Sequence, residues 1–185
     1  MQRSMYIPLG VVIGREKVDH PWQEFVWRAV DVFMGAPPVT EWRALRSTTE
    51  MQLYHAATLP LDLHPKETTS YQVNLTNGTP SVYVVLRDST GPNQRWPVFV
   101  HMITASPFEA QAYGDSGFER VERVPMPEPL VNLVEQFVAE HHQEEEFRKR
   151  VRDKGPGKAD EHQFGQEPIA VLRERQRQTG GRDPR

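Results

Sequence analysis

His141 and His142, followed by Glu144, Glu145 and Glu146, form the densest run of ligand-type side chains in the chain. On a helix His141 and Glu145 stand four apart on one face, as do His142 and Glu146, and either pair could grip a divalent ion. A closed site needs three or four ligands, usually from two elements. No spacing brings His55, His64 or His101 to this run, so no metal is expected and the run reads as a solvated helix end. Cysteine is absent, which excludes disulfides, thiolate metal sites and a thiol nucleophile. Ser81, Ser89, Ser106 and Ser116 are present, but none sits in a Gly-x-Ser-x-Gly elbow. The phosphate-cradling glycine loops and the His-Glu-x-x-His helix are missing as well. No catalytic residue is assigned, and an enzyme is not expected.

Binding chemistry is better represented. Leu61-Asp62-Leu63-His64-Pro65-Lys66-Glu67-Thr68 crowds His, Lys, Glu and Thr into one turn between two expected strands, and scaffold-held loops are where binding residues concentrate. His64, Lys66 and Glu67 are the candidates there. A second group is Trp22 in His20-Pro21-Trp22-Gln23, with Trp27 and Arg28 just beyond, because Trp and Arg are the usual interface anchors. The C-terminal region offers a basic cluster, Arg148, Lys149 and Arg150 with Arg152, Lys154 and Lys158, against Asp153 alone. Further on, Phe164, Ile169 and Leu172 form an apolar island in polar surroundings. It reads equally as a linear partner motif or as a terminal helix folded back on its own domain.

These side chains need elements to hold them. Residues 5–14 and 25–33 have the β-branched and aromatic content of strands. Met51, Leu53, His55, Ala57, Leu59, Leu61 and Leu63 recur with period two, a long strand bent or interrupted at Pro60. Tyr71, Val73 and Leu75 alternate likewise, and Asn77-Gly78 then leads into Ser81–Leu86, which predicts a hairpin. Trp96–Thr104 and Phe118–Val124 complete about seven strands. Ser106-Pro107-Phe108-Glu109 is a capping box that opens a short helix, closed by Gly114 or Gly117. After Pro127, the stripe Leu130, Val131, Leu133, Val134, Phe137 and Val138 predicts an amphipathic helix docked on its own sheet. The expected fold is α+β: a mainly antiparallel barrel or roll, pleckstrin-homology-like in outline, with a C-terminal helix.

Charge divides the chain. Residues 1–143 carry 11 Lys+Arg against 16 Asp+Glu, and residues 144–185 carry 11 against 9. The acidic folded part, without a basic aromatic face, argues against nucleic acid as the ligand. The expected organisation is one α+β domain over 1–146 and a charged, largely disordered tail over 147–185. No apolar run approaches a membrane span. Met5–Gly14 loosely mimics a signal peptide, but Arg15, Glu16 and Lys17 follow at once without a cleavage site, so a cytoplasmic protein is expected.

Several segments taken together resemble a known family. They are Ile7–Val12, His20–Gln23, Leu59–Thr68, Pro80–Arg87, Thr104–Gln111 and Val124–Pro127, with a basic end at Phe147–Arg150. The chain resembles, over about residues 5–152, a proteobacterial domain-of-unknown-function family encoded beside molybdenum-dependent formate dehydrogenases and their maturation factors. The resemblance implies a setting: a non-catalytic accessory or assembly protein that contacts a dehydrogenase subunit or maturation factor. No resident cofactor is implied. A barrel that binds a molybdopterin nucleotide transiently, or another small molecule, or an enzyme of molybdenum-cofactor maturation, is the alternative.

Overall fold

A computed structural model describes residues 4–91 and 94–142 of the chain. The apolar run at the N-terminus forms β1 (Met5–Lys17), which lies antiparallel between β2 (Phe25–Met34) and β4 (Met51–Leu63). The short β3 (Arg43–Ser47) pairs with the first part of β4, giving the order β2-β1-β4-β3. A second antiparallel sheet is made of β5 (Ser81–Asp88), β6 (Val98–Thr104) and β7 (Arg120–Pro125), in the order β6-β5-β7. A 3-10 turn at Pro65–Glu67 leads into α1 (Thr68–Thr76); α2 (Pro107–Asp115) precedes β7, and α3 (Glu128–His141) follows it.

The fold is α+β, as expected, but the barrel is not closed: no ladder joins the two sheets among the described residues. On one side the Glu122 carboxylate of β7, rather than a strand pairing, takes the edge N–H of Ala29 on β2. On the other side β4 and β6 face each other without pairing. Closure demands a continuous register around the ring, and β3 covers only Gln52–His55 of β4 before ending.

One core fills the space between the sheets. Leu9, Val11, Ile13, Leu61 and Leu63 meet Val82, Val84, Leu86, Ile103 and Val124 there, all buried. The expected stripe of α3 docks on its own chain, burying Leu130, Val134, Phe137 and Val138 in the same cluster, with Phe137 edge-on to Tyr71 of α1 at 6.3 Å. β1 has 13 residues and β5 only 8, so the first sheet outruns the second by about 15 Å. Trp27 stands opposite Arg15, and Tyr54 stands opposite Ile13, on the core face towards this overhang. Trp42 and Trp96 come in from loops and stack on each other at 4.5 Å, covering Trp27 and Tyr54.

The hairpin expected around Asn77-Gly78 is not formed. Thr68–Thr76 is helical: its buried residues are Thr68, Ser70, Tyr71 and Asn74, which stand at the three- and four-residue spacings of a helix, and not the alternating set Tyr71, Val73 and Leu75. Asn74 fixes this helix: its Nδ2 donates to the carbonyls of Ser81 at 2.7 Å and Ala105 at 2.8 Å, and its Oδ1 accepts from Ser81 N–H at 3.1 Å. Asn77 N–H then bonds Val73 C=O, and Gly78 turns the chain at φ +84°. The Asn-Gly pair is thus a helix C-terminus. The strand count of seven survives because β3, which no alternation marked, replaces the one that is lost. Pro60 does not break its strand either; β4 runs straight through it.

Candidate functional site

Pro60 explains where the open edge of β4 points. It stands directly opposite Pro8 of β1. Two prolines cannot exchange N–H···O bonds, so this is a non-hydrogen-bonded pair, and the backbone groups of residues 60 and 62 point away from β1. Among the described residues, that side of β4 has no strand beyond His55. The outer side of β6 is likewise unpaired among the described residues, and β6 carries a bulge: Val85 faces Met102 and Leu86 faces Val100, leaving His101 as the extra residue. A bulge at a sheet edge re-aims its side chain.

A cleft of about 380 Å³ opens between these two edges. Leu59, Pro60, Asp62 and His64 line it from β4 and its end, with His101, Met102 and Ile103 from β6. On β4 the lining residues Pro60, Asp62 and His64 alternate with the buried core residues Leu61 and Leu63, whereas three consecutive residues line the β6 wall at its bulge. Glu67 of the 3-10 turn and Glu109 of α2 complete it, and both also line an adjoining cavity of about 460 Å³ with Lys66, Ser70 and Phe108. The N-termini of α1 and α2 are locked together at this second cavity. Ser106 caps α2 by accepting from Glu109 N–H at 3.2 Å, as its sequence predicts, and Ser70 Oγ lies 2.8 Å from Ser106 Oγ.

Tyr71 sits behind the cleft. Its hydroxyl accepts from His64 N–H at 3.0 Å and donates to Asp62 C=O at 3.4 Å, occupying the last part of the β4 edge. Burial pushes the phenol far above its ordinary pKa; the His64 N–H opposes this, and the charges of Glu67, Glu109 and Asp62 add to the rise. Three carboxylates therefore act on one hydroxyl from around one cleft. Against them stand Lys66 on the adjoining rim and the imidazoles of His64 and His101.

His64 joins two further groups in a row: Ser4 Oγ lies 2.9 Å from Nδ1, and Asp62 Oδ2 lies 3.1 Å from Nε2. These are the components of an acyl-transfer triad, but both acid and base side chains are about half exposed to water. The main-chain N–H of His64 is taken by Tyr71. A triad does its work with convergent backbone donors in a water-excluded site. No cluster of three or more His, Asp or Glu able to hold a metal occurs among the described residues. Glu144–Glu146 lie outside them.

The structure brings His64 and Glu67 into the cleft and places Lys66 beside it. The second predicted group is elsewhere and is not one site. Trp22 is 90% exposed at the tip of the β1–β2 connection, Trp27 is part of the aromatic cluster, and Arg28 is exposed on β2. Arg148, Lys149, Arg150, Phe164, Ile169 and Leu172 lie outside the described residues, as does the predicted tail. Asp62, His101 and Glu109 are the polar cleft residues that sequence reasoning did not select, although Asp62 stands in the predicted turn segment. Glu109 was readable only as a helix cap, and a bulge at His101 leaves no local mark in the chain. No helix among the described residues is long and apolar enough to cross a membrane.

Comparison with known proteins adds one finding. No curated protein and no solved structure matches the chain. A family model does match, over residues 8–151, which take in every strand and helix described above except the first three residues of β1. The chain belongs to the family described as "Protein of unknown function (DUF3305)".

Proposed function

We propose that this protein is a non-catalytic accessory protein for a molybdenum-dependent formate dehydrogenase, and that it docks a subunit or maturation factor of that enzyme at the cleft between β4 and β6. The observation that carries the docking site is the meeting of two unpaired strand edges in one cleft ringed by Asp62, Glu67 and Glu109. The resemblance in sequence supplies the identity of the partner. Arg148, Lys149 and Arg150, with the island of Phe164, Ile169 and Leu172, provide a second and weaker contact to the same partner; linking two weak sites raises the overall affinity strongly.

The cleft volume would also suit a small molecule. A phosphate-bearing ligand such as a molybdopterin nucleotide is disfavoured there, since three carboxylates line the cleft and the one lysine stands on the adjoining cavity. Gentle purification of the full-length protein from its own host, followed by native mass measurement and molybdenum analysis, separates these readings. A dehydrogenase subunit or maturation factor that travels with the protein supports docking. A lone protein carrying a pterin or nucleotide overturns it in favour of the small-molecule reading.

A further inference from the structure

The docking mode can be taken further, on the premise that the cleft binds a partner protein. Beyond His55 the outward edge of β4 presents its backbone to the cleft, and neither the main-chain groups of Thr58 nor, further along, the C=O of Pro60 and the N–H of Asp62 have a described hydrogen-bond partner. The last two flank Leu61, and they are the acceptor and donor that a single residue of an added parallel strand uses, its own N–H going to Pro60 C=O and its C=O taking Asp62 N–H. Pro60 lacks a donor, but parallel addition at this point does not call for one. Past Asp62 the edge is closed, because the Tyr71 hydroxyl already occupies Asp62 C=O and His64 N–H. The open stretch is therefore defined at its C-terminal end.

Side-chain chemistry selects the occupant. Leu59, Met102 and Ile103 give apolar contacts along the walls, while Asp62, Glu67 and Glu109 ring the cleft with negative charge. Lys66 opposes them only from the adjoining cavity, and His64 is already engaged by Ser4 and Asp62. A strand with alternating side chains sends one set to the apolar walls and the other to the carboxylates.

We infer that the cleft takes an extended, basic segment of the partner polypeptide, which adds as a parallel strand to β4 at Pro60–Asp62 and places Lys or Arg side chains against Asp62, Glu67 and Glu109. This is strand addition to an exposed edge, in which the main chain supplies affinity and the alternate side chains supply selectivity.

The test uses the full-length protein and a capped, fluorescein-labelled peptide of four Val-Lys repeats. Saturable binding is expected, with the Asp62 amide becoming protected from hydrogen exchange when the peptide is present. A Val-Glu peptide of the same length should not bind, and a Val-Lys peptide N-methylated at alternate residues should bind at least tenfold more weakly. The double variant Glu67→Gln, Glu109→Gln, which keeps the α2 cap, should weaken the Val-Lys peptide by roughly three- to tenfold. Equal binding of the N-methylated or acidic peptide, or an Asp62 amide left unprotected, overturns the strand-addition mode. The two levels fail separately. If a dehydrogenase subunit co-purifies while the Val-Lys peptide does not bind, the accessory role stands and strand addition falls. If the peptide binds as described and no dehydrogenase protein is recovered, strand addition stands and the choice of partner falls.

Discussion

Asn74 shows how much one polar side chain can organise here. It makes three hydrogen bonds, and removing it orphans two carbonyls and an N–H, all buried. Unsatisfied buried groups cost about 1–3 kcal/mol each, and partial relaxation keeps the sum lower. Asn74→Ala is expected to destabilise the fold by about 3 kcal/mol in urea unfolding. A second tight spot is Gly10, where an added Cβ would lie 2.5 Å from the Phe33 ring and 2.7 Å from Ala36 Cβ. Gly10→Ala should cost about 1–3 kcal/mol through overpacking, and Phe33→Leu should relieve part of it. The row Ser4, His64 and Asp62 also yields a test. Because its acid and base side chains are about half exposed to water, a fluorophosphonate probe is expected to leave Ser4 unlabelled. Stoichiometric labelling at Ser4, lost in His64→Ala, would point to hydrolase chemistry instead.

At the scale of elements, the seam between β2 and β7 depends on Glu122. Burial pushes its carboxyl pKa up; the Ala29 N–H, Arg120 and Arg28 pull the other way, and burial prevails. A carboxyl whose folded pKa is raised favours the protonated form. Its contribution to stability is fully present below the unfolded carboxylate range, about 4.3, and is lost as pH rises through the folded pKa. Glu122→Gln keeps an acceptor for Ala29 without the titration. Relative to wild type, the variant should gain stability as pH rises from about 4 to 7, as measured by chemical denaturation at each pH. Glu122→Leu removes the acceptor and should cost about 1–3 kcal/mol at any pH. Much of the element layout was legible beforehand: the β-branched runs of β1, β2 and β5, the Ser106 cap and the α3 stripe are strong local signals. Thr68–Thr76 was misread because Tyr71, Val73 and Leu75 fit period two, whereas the side chain that decides the matter is Asn74, whose partners lie as far away as Ala105. β3 was missed because all five of its residues are exposed, so no alternation marks it.

Over the whole molecule, the two sheets share a core yet leave the β4 and β6 edges open beside the cleft. Native proteins usually blunt a free edge with charge, bulges or a covering element. Here the bulge at His101, the ring of carboxylates and the Tyr71 hydroxyl, which closes the β4 edge past Asp62, limit indiscriminate pairing while retaining one place to dock. Half of this site could be seen in the chain, since His64, Lys66 and Glu67 stand together in one loop. The other half is contributed by β6 and α2, more than thirty residues further on, and only tertiary packing brings it there. The measurement that bears most directly on this view is co-purification with the charge-reversed double variant Glu67→Lys, Glu109→Lys, expressed in the native host beside wild type. Circular dichroism and the urea midpoint serve to show that the fold is retained. If the cleft is the docking site, a formate dehydrogenase subunit or maturation factor should come with wild type and be lost from the folded variant. Equal recovery of that partner with both proteins would contradict it.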